Sequence, residues 1–330
     1  MTGHAALVAV SGGRDSALAL HLSLEEGRRT RAACVDMGRG IPEAARRIAQ
    51  DAGVDLLEVD GRQLFAEEVL ARSRRMLQNG LTPNPCAMCN RGPKLGLLFD
   101  ELRPEEALVT GHYAFAGPDG LLRGRDREKD QSYFLSLVPE KVLERCHLPL
   151  GGWTKAEVTA EVRRLGLPCQ PRESMDLCFD PLEGADKLRW TILDSDGEFL
   201  VRDRQGPVPT VGQRLRLPGM SRRLYAVSVD FESRTIAAGT RDGLQAEGCV
   251  VGAVNDLGLP KTPTFAASIQ IRYRKAPVPC SVSRRSEELV VRFDSPAESV
   301  APGQVAAIGR GGQVLAGGII GAALKGDQFD

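Results

Sequence analysis

Along the first half of the chain, short uninterrupted apolar runs alternate with stretches in which apolar positions recur every three or four residues. Residues 5–10 (AALVAV) and 30–35 (TRAACV) read as buried strands, with 55–59 and 107–110 as two more. Between them, 16–26 reads as a helix ending at Gly27, 42–52 as a helix closing at Gly53, and the stretch around 95–102 as a third. Short apolar, β-branched runs suit strands covered on both faces, and a 3.6-residue period suits helices laid against them. Alternating strands and helices predict a parallel sheet with helices on both sides.

After about residue 190 the period shortens. Segments 191–193 and 198–202 flank Asp196-Gly197, a hairpin turn signal, and 224–229 with 234–238 repeat the pattern. Further strands are expected at 267–272, 278–283, 288–293, 304–308 and, across Gly311-Gly312, 313–320. Many short strands at even spacing predict a small barrel or sandwich. Three units are therefore expected, 1–185, 186–258 and 259–330, with the second boundary in the Gly- and Pro-containing stretch 258–263.

A length of 330 residues agrees with two or three domains, and 42% hydrophobic with 26% charged residues fits a cored globular protein. Lys plus Arg equals Asp plus Glu at 43 each, which excludes a broadly basic nucleic-acid binder and confines any RNA contact to patches. The candidate patches are Arg72-Ser73-Arg74-Arg75, Arg222-Arg223, Arg272 to Lys275, and Arg284-Arg285, with Arg272 and its neighbours favoured. The opening residues lack a signal-peptide pattern and no run reaches the ~18 apolar residues of a membrane span, so a soluble, cytoplasmic protein with no membrane partner is expected. Eight cysteines in a chain this long are not a disulfide scaffold. Cys34, Cys146, Cys169, Cys249 and Cys280 have no motif context and read as buried small hydrophobes.

Chemistry enters at Ala9-Val10-Ser11-Gly12-Gly13-Arg14-Asp15-Ser16, between an expected strand and an expected helix. Gly12 and Gly13 let the backbone turn its N–H groups toward an anion, Ser11 and Ser16 add hydroxyls, and the helix N-terminus points the same way. Asp15 either orders the loop or holds a metal on a pyrophosphate. The bland alternative is a Ser/Gly-rich turn with an Asp cap. The spacing matches neither a Walker A loop nor a dinucleotide fingerprint. It resembles the loop of the N-type ATP pyrophosphatases (adenine nucleotide alpha hydrolases), which implies a Rossmann-like domain, ATP with Mg2+, and release of AMP and pyrophosphate.

Thr82-Pro83-Asn84-Pro85-Cys86-Ala87-Met88-Cys89-Asn90, Gly111-His112-Tyr113, Lys129-Asp130-Gln131-Ser132-Tyr133-Phe134 and Ser174-Met175-Asp176-Leu177-Cys178-Phe179 narrow the choice. With Gly212-Gln213-Arg214, Arg272-Tyr273-Arg274, Pro302-Gly303-Gln304 and Gly317-Gly318-Ile319-Ile320, they make the chain resemble the tRNA-specific 2-thiouridylases (the MnmA/TrmU family) over nearly its whole length. The resemblance implies that ATP adenylates the C2 oxygen of the anticodon wobble uridine. Cys178 would carry a persulfide from a sulfur-relay protein or cysteine desulfurase, and Cys89 would resolve it as a disulfide. Met37 and Gly111 would border the adenosine. Asn84, Pro85, Cys86, His112, Lys129, Asp130, Gln131, Arg272, Tyr273 and Gln304 would meet tRNA, with Tyr273 suited to stacking on an unpaired base.

One position departs from that family. Cys86 stands where an aspartate is usual, creating Cys86-x-x-Cys89. With Cys178 this resembles the three thiolates that hold a [4Fe–4S] cluster in iron–sulfur-dependent tRNA thiolases. The persulfide, the cluster, and a neutral Cys86 all stay open. So do a pyrophosphatase acting on a small metabolite, distinguished by tRNA-independent turnover, and an inactive tRNA binder, distinguished by failure to bind ATP.

Overall fold

The structure is a computed structural model that describes residues 4–170, 188–207, 209–220, 222–326 and 328–329. Its first unit holds β1 (Ala5–Ala9), β2 (Arg29–Asp36), β3 (Leu56–Asp60), β4 (Glu106–Val109), a hairpin of β5 (Ala114–Gly117) and β6 (Gly120–Arg123), and β7 (Cys146–His147). Strands β3-β2-β1-β4-β7 form a wholly parallel sheet, with Val8 opposite Ala32 on one side and Val109 on the other. The order reverses between β1 and β4, and the crevice at such a switch point is where open α/β sheets bind ligands. Ala6, Leu7 and Val8 are fully buried, as the uninterrupted apolar run requires of a central strand.

Helices α1 (Arg14–Glu25) and α2 (Glu43–Asp51) connect the first three strands. A longer helical excursion follows β3: α3 (Arg62–Phe65), a π-helical stretch Ala66–Ala71, and α4 (Arg72–Gln78). After a turn come α5 (Pro85–Cys89), a second π-helical stretch Asn90–Lys94, and α6 (Leu95–Asp100). Pro93 lies inside that second stretch, and its missing N–H accounts for the widened turn. Then come α7 (Ser132–Leu135), α8 (Glu140–Leu143) and α9 (Lys155–Leu165). A capping box between Thr154 and Glu157 starts α9, and Gly166 in the left-handed region ends it.

The second unit is a five-stranded sheet of β8 (Leu188–Leu193), β9 (Phe199–Gly206), β10 (Arg214–Leu215), β11 (Leu224–Asp230) and β12 (Thr235–Gly239), in the order β10-β11-β12-β8-β9. Trp190, Ile192, Leu215, Leu224, Ala226 and Ile236 fill its core. The third unit comprises β13 (Gln245–Asp256), β14 (Thr264–Gln270), β15 (Val278–Arg285), β16 (Glu288–Glu298), β17 (Val305–Arg310) and β18 (Gln313–Leu324). Pairing of β13 with both β16 and β18 closes these six strands into a barrel, so the third sheet takes in a strand that lies ahead of residue 258.

The β5–β6 hairpin of the first unit continues the barrel sheet, with Leu122 opposite Gln313 and Leu121 opposite Val314. Leu121, Tyr133, Leu135, Val305, Ala307 and Val314 share one buried cluster, and Asn255 Nδ2 donates to the carbonyls of Ser136 and Val138 at 2.9 and 2.8 Å. The barrel is thus docked on the parallel-sheet unit through a common core.

Candidate functional site

The loop from Val10 to Asp15 sits at the switch point. Val10 is buried and donates its N–H to the Ala33 carbonyl at 2.8 Å, and Ala9 ends β1 half-buried. Gly12 has φ +86, which favours glycine, and a Cβ there would press on Ala44 Cβ at 3.1 Å. Ser16, buried, donates its hydroxyl to the Gly13 carbonyl at 2.8 Å and faces the Ser11 N–H at 3.2 Å. No side chain caps α1, which begins at Arg14 after Gly13. The first-turn N–H groups of a 12-residue helix therefore point into the crevice with the helix's positive end, which is the chemistry that holds a pyrophosphate.

Asp15 has a definite role here. Its carboxylate accepts from Lys155 Nζ at 2.7 and 2.9 Å and from the Tyr113 hydroxyl at 2.8 Å, and the Lys155 ammonium lies 5.6 Å from the Tyr113 ring centre. The end of β4 reaches the same helix turn: a Cβ on Gly111 would sit 2.7 Å from the Asp15 carbonyl carbon and oxygen. Gly111 is thus where β4 and α1 touch. In this arrangement Asp15 orders the loop, and it could serve a metal only by exchanging Lys155. Lys155 was not recognised in the sequence. Its capping box was a readable signal, but 140 positions separate it from Asp15.

The thiol-bearing helix packs near the end of β2, the strand next to the one that feeds this loop. Asn84 caps α5, its side-chain oxygen accepting the Ala87 N–H at 3.1 Å, and Pro85 takes the first helical position. Cys86 and Cys89, three residues apart on one helix, share a face, and both are half-buried. Cys89 and Met37 pack on the same cluster of Phe65, Val69 and Met88, which brings the end of β2 to the thiol helix. Cys178 lies outside the described residues. Among the described residues no group of three His, Cys, Asp or Glu side chains could hold a metal ion.

The barrel closes over the thiol helix. Gln304 accepts from Asn84 Nδ2 at 3.4 Å and from the Tyr133 hydroxyl at 3.2 Å, and donates to the Pro83 carbonyl at 3.3 Å, while the Thr82 N–H reaches the Pro302 carbonyl at 2.8 Å. His112 is buried, its Nδ1 2.7 Å from Thr110 Oγ1 and its Nε2 3.4 Å from Lys94 Nζ. Burial, with the Lys94 charge beside it, holds its pKa well below the usual histidine value, so the ring is neutral. An ammonium can only donate, so Nε2 accepts and the ring proton sits on Nδ1.

Asp130 is also buried, accepting from Arg123 Nε at 2.6 Å and from the Gly124 and Ser132 N–H groups at 3.0 and 3.1 Å. Gln131 exchanges hydrogen bonds with the Tyr113 backbone at 3.0 and 2.9 Å. Arg272 donates to the Ser299 and Val211 carbonyls at 3.1 and 2.5 Å, tying the barrel to the second unit. Of the expected tRNA contacts, Lys129, Asp130 and Tyr273 line an open cleft of about 740 Å³ between hairpin and barrel, with Arg127, Arg274, Lys275 and Arg310. Tyr273 packs its ring 4.4 Å from Phe134. The cysteines outside the motifs behave differently. Burial pushes the Cys34 thiol up to about 11 and those of Cys146 and Cys280 up to about 12, and Cys249 is raised further, so all four stay protonated. Cys169 is half-buried.

A glycine loop and uncapped helix at the switch point, a thiol helix packed near the end of the neighbouring strand and a docked barrel define an α/β nucleotide-fold protein with a β-barrel appended. Residues 4–181 match the tRNA methyl transferase HUP domain family, and residues 248–320 the aminomethyltransferase beta-barrel domain family. The tRNA-specific 2-thiouridylase MnmA of Nitratidesulfovibrio vulgaris (strain DSM 19637 / Miyazaki F) is 38% identical, covering 95% of this chain and 98% of that protein. The MnmA of Geobacter metallireducens is 36% identical, covering 96% and 97%. Among solved structures, the U34-tRNA thiolase NcsA from Methanococcus maripaludis with its [4Fe-4S] cluster aligns at TM-score 0.35 and 15% identity over 56% of this chain and 63% of that one, too distant to bear on mechanism. The chain belongs to the tRNA-specific 2-thiouridylase family.

Proposed function

We propose that this enzyme uses ATP to adenylate the C2 oxygen of the tRNA wobble uridine and then replaces that oxygen with sulfur. The observation that supports the reading is that the glycine-turned loop and the uncapped α1 N-terminus follow β1, while Met37 follows the adjacent parallel strand β2 and packs on the same cluster as Cys89. The loop N–H groups and α1 would stabilise charge on the departing pyrophosphate while the uridine oxygen attacks the α-phosphorus. AMP is then a good leaving group. The Lys155–Asp15–Tyr113 contacts hold the loop in that form before the nucleotide arrives, and the basic cleft beside Tyr273 suits the anticodon loop. A sulfur-relay protein or cysteine desulfurase would supply the sulfur.

In the persulfide route, the terminal sulfur on Cys178 attacks C2 and expels AMP. The Cys89 thiolate then attacks the inner sulfur, forming a Cys89–Cys178 disulfide and releasing thiouridine. A dithiol reductant restores the pair. The shared face of Cys86 and Cys89 favours a second route, in which both join Cys178 as ligands of a [4Fe–4S] cluster, whose chemistry would be to present sulfide at an open iron. Stoichiometric iron and sulfide in anaerobically purified protein, lost in Cys86→Asp, selects the cluster. An iron-free protein that thiolates from a persulfide donor excludes it. The function itself is tested by mass analysis of nucleosides from tRNA incubated with enzyme, ATP and a sulfur donor. 2-Thiouridine is expected, and ATP cleavage that ignores tRNA contradicts the reading.

A further inference from the structure

We infer that four arginines of the second unit, Arg214, Arg216, Arg222 and Arg223, form a second tRNA-phosphate site, remote from the base that reacts. The inference rests on the proposed tRNA substrate and adds a contact surface to it. The four line a groove of about 360 Å³ completed by Leu215, Leu217, Pro218 and Met220, and among the described residues no acidic one lines it. Strand alternation explains the arrangement. Leu215 and Leu217 turn inward to the Trp190 core, so Arg214 and Arg216 project from the opposite face, exposed, and the connection to β11 brings Arg222 and Arg223, also exposed, alongside.

In each of the other basic stretches at least one arginine is held by a partner within the chain. Arg72 pairs with Glu68, Arg284 with Asp256, and Arg272 spends its guanidinium on two backbone carbonyls. Among the described residues, none of the four groove arginines makes an ion pair or side-chain hydrogen bond. Four like charges held together repel one another, and a bound polyanion would relieve that repulsion in a protein of formal net charge zero. Guanidinium forks match phosphate oxygens, and a groove with no aromatic anchor offers little to a protein partner.

The groove's position fits a long polyanion. Arg214 pairs with Tyr225 near the start of β11, while Val229 toward its other end packs against Gly80, just before the Thr82–Asn84 turn of the site. At ~3.3 Å per residue the groove lies roughly 15 Å along the strand from that contact, within one arm of a tRNA.

The test compares the wild-type chain with Arg214→Gln/Arg216→Gln/Arg222→Gln/Arg223→Gln, titrating unmodified tRNA at several salt concentrations. We expect affinity ~10–100-fold weaker at ~0.15 M salt and a salt slope shallower by about 2–3, with ATP binding retained and a four-lysine variant close to wild type. Unchanged affinity and slope overturn the inference. So does a variant that keeps tRNA affinity and turns over with inorganic sulfide but fails with a sulfur-donor protein, because the surface then belongs to that protein. Should the fourfold change unfold the sheet, Arg222→Gln/Arg223→Gln is read the same way, with about half the change in slope. A wild-type chain that binds no tRNA sinks the thiolation reading, whereas arginine-independent binding sinks only this one.

Discussion

Replacing Lys155 by methionine keeps the stem's packing against Tyr113 and removes only the ammonium from the two oxygens of Asp15. The Lys155 side chain is 18% exposed and that of Asp15 33%, so the pair lies between a surface pair, worth ~0–1 kcal/mol, and a buried one, whose breakage costs ~3–5 kcal/mol. A coupling of about 1–3 kcal/mol is expected. The Tyr113 hydroxyl, 2.8 Å away, and the helix dipole continue to support the carboxylate, which keeps the figure below the buried limit. Since 1.4 kcal/mol is tenfold, a loosened loop should lower kcat/KM for ATP by ~10–100-fold. The assay is a double-mutant cycle of Lys155→Met and Asp15→Asn, read by denaturant unfolding and by pyrophosphate release. The double variant should be less impaired than the two single effects added together, because no buried charge is left alone. Additivity within ~0.3–0.5 kcal/mol would refute the argument that this pair holds the loop.

Other expectations follow from the same packing. His112 is held neutral in the fold, its pKa depressed from 6.5, so the unfolded chain binds a proton that the folded chain refuses as pH falls below that value. Wild type should lose about 1.4 kcal/mol between pH 7.5 and 5.5 through this residue, and His112→Asn should show a correspondingly flatter dependence in unfolding titrations. Gly111→Ala drives a methyl against the Asp15 backbone, which should cost ~1–3 kcal/mol and weaken ATP binding together, measurable by thermal shift with and without nucleotide. Asn84→Ala removes both the α5 cap and the Gln304 contact, for roughly 1–2 kcal/mol of stability. Alkylation near pH 8 should modify Cys89 well before Cys146, whose thiol is pushed up to about 12; equal rates in peptide mass maps would contradict that ranking.

Much of the fold was legible because its signals are local. The buried runs 5–10 and 30–35 became β1 and β2 within a residue, and Gly12 declared the loop because only glycine suits its φ. Strand β13 was not foreseen: Gly248 and Gly252 interrupt its pattern, and register shifts at both places break the alternation that marks a strand. The 62–78 helix gave no clear period either, since a π-helical stretch in its middle shifts the apolar face. At the site, residue types suggested roles, while the partners that hold those side chains come from elsewhere in the chain. Nothing local to Arg272 announces that it reaches the Val211 and Ser299 carbonyls, or to Asp130 that Arg123 and the Gly124 and Ser132 N–H groups enclose it. Lys155 was missed for the converse reason, because its meaning depends entirely on a partner 140 residues away.

In the proposed reaction the uridine oxygen leaves on AMP. Transfer RNA carrying 18O at C2 of the wobble uridine, incubated with the enzyme, ATP and a sulfur donor, tests it directly by mass spectrometry of the nucleotide product. One 18O per AMP, in step with 2-thiouridine formed, is the predicted result. Thiouridine accompanied by unlabelled AMP would contradict it.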